Sequence, residues 1–262
     1  MWEFVRFMKG ESMLRSMRKT LRTVAALAYY IGVLPMIRIP TLLPFVFATP
    51  FTILFILFVA GERAAFASGL AGAITMTVTQ QGLFLGSDLT SLRIEHKFQS
   101  MVVASPVSAL TYMFSVAISE LAFAAPAVVV LLAIISYSME GVGLVALLQI
   151  LVVILLIWVT SSSIGFFLST YVLNTRSAFL TVAFISIILS VLPPVFYPIS
   201  ILPSQLRPLA ELIPTTHASV LIRSVIGMPT DQFQLLVSWV ALPLFTLAFL
   251  SLALLKARWR ES

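Results

Sequence analysis

Glu120 is the one acidic residue set deep inside a long apolar run of this chain, and its carboxyl could do three kinds of chemistry. It could contact a polar or cationic substrate, exchange a proton, or hydrogen-bond a neighbour such as Ser119, Gln149 or a threonine. At about 1.5 Å per residue it lies ~18 Å from Ser108, near the middle of a bilayer. Gln80 and Gln81, in another apolar run, pose the same choice. A second cluster is Asp88, Arg93, Glu95 and Lys97, with His96 among them; it holds four of the thirteen charged residues between Thr41 and Leu255. Beside it runs an apolar strip, Phe98, Met101, Val102 and Val103, ending at Ser105-Pro106. Charge next to an apolar strip suits docking to another protein better than catalysis. The run Thr160-Ser161-Ser162-Ser163 suits close helix packing and back-bonding to helix carbonyls better than a nucleophile.

Other chemistry is missing. There is no cysteine, hence no disulfide and no thiolate metal site. His96 and His217 are far apart in sequence and make no histidine-rich metal site. None of Lys9, Lys19, Lys97 and Lys256 follows a glycine, so the chain has no phosphate loop. The reading is a chain with no catalytic site and no cofactor of its own. Its energy must come from a partner or an ion gradient.

The residues are 60% hydrophobic and only 10% charged, with a mean hydropathy of +1.07, which points to a polytopic membrane protein. The net charge of +6 flanks the apolar runs, as in an inserted protein, and does not form a nucleic-acid patch. A spanning helix needs about 20 mostly apolar residues. Six segments qualify: 41–60, 66–86, 107–136, 142–172, 177–197 and 233–255. With both termini in the cytoplasm, 13 Lys and Arg residues fall inside and 3 outside, which favours that orientation. The first long apolar run begins only near Thr41, after too long and basic a lead for a signal peptide.

Residues 1–40 form a basic arm. On a helical wheel Leu14, Met17, Leu21, Val24, Ala25 and Ala28 share one side, while Arg15, Arg18, Lys19 and Arg22 share the other. That pattern predicts a helix lying flat at the interface, its cations toward anionic head groups. A cytoplasmic helix packed on a soluble partner has the same pattern. Six of the fourteen prolines lie between Pro193 and Pro214. Pro193, Pro194 and Pro198 make a straight helix through PPVFYP improbable. Short helices over 204–212 and 216–226 are predicted to re-enter the outer leaflet, in an external segment spanning 198–230.

In this order the parts resemble the membrane subunit of ABC exporters of the ABC-2 (type V, G-like) class. Four features carry the resemblance: the basic arm, the stretch EHKFQSMVVASPVS, the proline-broken end of span five, and LIPTTHA with Arg223. Lys97-Phe98 stand where the family often has a Gly-Thr pair. The resemblance implies an all-α fold of six transmembrane helices over 41–256, with a cytoplasmic tail at 257–262. It also implies an amphipathic interfacial helix, a coupling helix within 88–108 and short re-entrant helices between spans five and six. Two copies would pair as a homodimer in the cell (plasma or inner) membrane, each bound by a separate ABC ATPase that holds ATP and Mg. Arg93, Glu95, His96, Lys97, Phe98, Met101 and Val102 would meet that ATPase. Gln80, Gln81, Glu120, Phe184, Phe196 and Tyr197 would line a pathway for a hydrophobic or amphipathic molecule. Pro193, Pro194, Pro198, Pro214, His217 and Arg223 would shape the external gate. Two rivals stand beside it: an ion- or proton-coupled transporter using Glu120, and a membrane scaffold recruiting a cytoplasmic partner.

Overall fold

A computed structural model describes residues 18–39, 43–59, 61–95, 107, 109–139, 141–172, 174–191 and 193–256. Among them the chain is all-α, with no strand. That is what lipid demands of a chain this apolar, since a helix satisfies its own backbone groups. In chain order the helices are α1 (Arg18–Arg38), α2 (Leu43–Val59), α3 (Arg63–Ile94), α4 (Ala109–Ser138) and α5 (Leu144–Tyr171). They continue with α6 (Thr175–Val191), a 3-10 turn at Ile199–Ile201, α7 (Arg207–Glu211), α8 (Pro214–Val225) and α9 (Gln232–Lys256).

Four stretches are long and apolar enough to cross a membrane: Arg18–Arg38, Thr111–Ser138, Leu144–Tyr171 and Gln232–Leu255. Length and polarity explain the others. The 17 residues of α2 and of α6 reach only ~25 Å. The 32 residues of α3 reach ~48 Å, but Thr75, Thr77, Thr79, Gln80, Gln81 and several glycines dilute its apolar stretch. The first stretch is a surprise, because the pattern of the arm predicts a helix lying flat. Its cations Arg18, Lys19 and Arg22 are exposed, and so is Leu21 on the apolar side. One contact pins it to α4. A π turn at Tyr29–Val33 seats Gly32 on Ser119 of α4, and Ser119 Oγ lies 3.3 Å from the Ala28 carbonyl.

α3 is the central helix, nearly all buried from Ala67 to Thr79. Its main seam is with α5, and it also packs on α2, α4, α6 and α8. The seam is close because small residues face each other. A Cβ on Gly165 would lie 2.8 Å from the carbonyls of Gly82 and Leu83, and one on Gly86 only 2.5 Å from the Gly165 carbonyl. Hydroxyls serve the same packing. Thr160, Ser161 and Ser163 donate back to Leu156, Ile157 and Val159, and Thr160 also meets Thr246 of α9 at 2.9 Å.

Two boundaries differ from the sequence expectation. Residues 88–94 belong to α3, so the expected segment 88–108 begins inside that helix; charge does not end a helix that can leave the bilayer. α6 stops at Val191 rather than 197, because Pro193 and Pro194 supply no backbone donors.

Candidate functional site

Two constellations lie at opposite ends of α3. The first is built around the broken chain after α6. Pro193, Pro194 and Val195 are buried there in irregular backbone, which requires partners for their carbonyls. Arg223 of α8 supplies them. Its Nη1 donates to the carbonyls of Pro194 (3.1 Å), Val195 (3.3 Å) and Tyr197 (2.9 Å), and its Nη2 to Pro194 (3.1 Å) and Ser219 Oγ (3.2 Å). Arg223 is only 4% exposed, and burial lowers its pKa to about 10, which leaves it charged at neutral pH. A Schellman turn behind Arg223 stops the helix: Met228 N–H donates to Arg223 O, Gly227 N–H to Ser224 O, and Gly227 takes φ +83°.

The start of α8 ties in the other elements. Pro214 occupies its first turn, where a missing donor costs nothing. Thr215 Oγ1 donates to the Leu189 carbonyl in the last turn of α6, and Thr216 Oγ1 to the Ala210 carbonyl of α7. His217 Nε2 lies 2.8 Å from the Glu211 carbonyl. A carbonyl only accepts, so Nε2 carries the proton, and Nδ1 accepts from Ser238 Oγ of α9 at 3.1 Å. The ring stacks on Phe245. Burial holds the imidazole pKa below its ordinary value, against the raising effect of Glu211. Residues 214–223 are all buried, so α8 is a plug packed among α3, α5 and α9. Phe196 sits on α3 at Gly72, where a Cβ would lie 2.5 Å from its ring, while Pro198 is exposed.

The second constellation is at the far end. Glu120 is 5% exposed, and its side chain hydrogen-bonds Asp88 of α3. The pair spans the contact between two helices, Glu120 on α4 and Asp88 on α3. Below it, Arg93 Nη2 donates to the Val172 carbonyl at 2.8 Å, binding the end of α3 to the end of α5. Glu95 closes the helix, its N–H on the Ser91 carbonyl and its carboxylate accepting from Ser91 Oγ at 3.1 Å.

Between the two ends, Gln81, Phe84 and Asp88 fall at i, i+3 and i+7 on the more open stripe of α3. Phe84 meets Phe179 of α6 at 5.8 Å, which sets that stripe beside α6. Gln80 and Gln81 are half-buried, with no side-chain hydrogen bond among the described residues. Phe184 of α6 is 64% exposed. Arg15, His96, Lys97, Phe98, Met101 and Val102 lie outside the described residues.

The chain matches the family model described as ABC-2 type transporter over residues 29–227, a stretch that takes in both constellations except Met228 of the turn and Ser238 and Phe245 of α9. The chain belongs to this family. It is thus a membrane-embedded permease component of a transporter, and an ABC ATPase is the general partner that membership implies. No curated protein matches it. Within this permease, the sequence reading missed Asp88 as the partner of Glu120 and Ser238 as the partner of His217. The first carried a signal: a buried carboxyl needs a partner, and Asp88 was the acidic residue nearest the end of an adjacent span. The second carried none, since Ser238 is one serine among many.

Proposed function

We propose that the chain is the permease subunit of an ATP-driven exporter of the type V, G-like class. It works as a homodimer in the plasma or inner membrane, with six spans (α2 to α6 and α9), a flat α1 and both termini cytoplasmic. Catalysis belongs to the separate ATPase, which holds ATP and Mg. The observation that carries the reading is the family match over 29–227 joined to one uninterrupted helix, α3, that runs between the two constellations. Such a helix passes a displacement at its Arg93 end to the Phe196 contact at the other. The cargo is a hydrophobic or amphipathic molecule moving between two copies along α3 and α6, past Gln81, Phe84 and Phe184. Export is chosen because this family mostly exports.

Co-purification tests the proposal. An ABC ATPase should accompany the chain, with vanadate-sensitive ATPase activity, and should be lost when Glu95 and Lys97 are reversed in charge. A complex without that activity would sink the exporter reading. The carboxyl pair favours a second reading, proton-coupled transport. If α1 lies flat against Ser119, the pair sits at the depth of the inner surface, where protons can reach it. Transport by Glu120→Gln at several pH values separates the two: only the proton-coupled reading requires the pH dependence to vanish.

A further inference from the structure

A cavity of about 400 Å³ opens beside the α8 plug, between the 198–211 segment and the start of α9. Pro198 and Arg223 of the expected gate border it, but the proposed cargo route along α3 and α6 does not pass through it. Its volume lies within the ~300–1,000 Å³ typical of small-molecule sites. The polar wall carries both signs, from Arg207, Glu211 and Asp231, with Gln234 beside them, while Phe233 and Val237 form an apolar wall one turn apart on α9.

What each polar group has left to give decides the ligand. Arg223 borders the cavity, but both its terminal nitrogens are committed to loop carbonyls and Ser219. Arg207 gives Nε to the Leu202 carbonyl and Nη2 to the Ser200 carbonyl, both at 3.0 Å, which leaves Nη1. Asp231 caps α9 through Oδ2, which accepts from Gln234 N–H at 3.2 Å, so Oδ1 remains. Glu211 holds His217 by its backbone carbonyl, and its exposed carboxylate accepts no hydrogen bond from the described residues. The balance is two carboxylates with open acceptor sites and one guanidinium edge. Phe233 is 75% exposed and Leu236 67%, so the apolar wall continues onto a lipid-facing surface.

We propose that this cavity binds the headgroup of a zwitterionic amphiphile. Its ammonium sits between Glu211 and Asp231, its acidic group faces Arg207 Nη1, and its chain lies along Phe233 and Val237. A phosphoethanolamine headgroup has this chemistry. Binding is measured in detergent and stands apart from the exporter reading, which fixes only that the leaflet is the outer one.

The test is titration calorimetry on the full-length chain in detergent with dihexanoyl phosphatidylethanolamine, dihexanoyl phosphatidylglycerol and free phosphoethanolamine. The ethanolamine lipid should bind at least about tenfold tighter than the glycerol lipid. The double variant Glu211→Gln, Asp231→Asn keeps the shape and the helix cap, and should weaken the ethanolamine lipid about ten- to hundredfold, the worth of charge-assisted hydrogen bonds. Equal binding of the two lipids, or an unaffected double variant, overturns the site. Equal affinity for free phosphoethanolamine overturns the amphiphile assignment. Should the double variant not fold, Phe233→Ser on the exposed surface decides: it must weaken the short lipid and leave free phosphoethanolamine unchanged, and any other pattern overturns the proposal.

Discussion

Replacing Arg223 by methionine removes the group that holds the PPVFYP backbone in place. The guanidinium satisfies three loop carbonyls, two of them on buried residues, and reaches Ser219 as well. Charge-assisted bonds of this kind contribute ~1.5–3 kcal/mol each. They do not add, and desolvating the buried charge takes back several kcal/mol, so a net loss of about 3 kcal/mol is reasonable. Because about 1.4 kcal/mol is a tenfold change, local opening of the loop should become ~100 times more frequent. The chain has no cysteine, so one introduced thiol reports one place. Val195→Cys puts it at a position with 0% exposure, and Tyr137→Cys, at 95%, serves as the reference. When closing is fast, the labelling rate follows the open population. Maleimide labelling at 195 should rise about a hundredfold in Arg223→Met, while labelling at 137 stays constant. Arg223→Lys should fall between, because one ammonium cannot reproduce the planar fork. A rise below about threefold in a folded variant would refute the claim that Arg223 holds the loop.

Three further outcomes are expected. Gly165→Val should destabilise the bundle by ~1–3 kcal/mol in a detergent melt, because its Cβ meets the carbonyls of Gly82 and Leu83, whereas Gly143→Ala, in open space, should change little. Asp88→Ala should cost more stability than Glu120→Ala: the first strands a buried carboxyl, about 1–3 kcal/mol, while the second leaves an exposed one that water can solvate. Equal costs in the same melt would argue against the Asp88–Glu120 hydrogen bond. For His217 the pKa is lowered in the folded site, so its share of stability is complete above the ordinary value of 6.5 and is lost as pH falls below that value toward the lowered one. The melting temperature should drop between pH 7.5 and 5.5, and by less in His217→Phe; an identical drop in both would remove His217 as the cause.

Much of the fold was legible in the sequence. The apolar runs of α2, α4, α5 and α9 begin and end within two or three residues of the predicted segments, because the hydrocarbon core sets where apolar residues must stop. α3 overran its segment, since a helix crossing into water keeps its backbone bonds and nothing at Asp88 breaks them. α6 fell short because two adjacent prolines do break them. The Pro-Thr-Thr-His run and Arg223 stood out by type and spacing, but their partners did not. Leu189, Ala210 and Glu211 serve through backbone carbonyls, which every residue has.

The sequence by itself determined that this is an all-α membrane protein and marked its family by the order of its parts, since hydropathy, charge placement and proline chemistry act locally along the chain. Tertiary structure alone decided that Glu120 meets Asp88, that Gly82 and Gly86 meet Gly165, and that Arg223 holds a loop some thirty residues earlier in the chain. Those pairings depend on how the helices are placed around α3, and that placement follows from packing among all of them together. No local pattern encodes it.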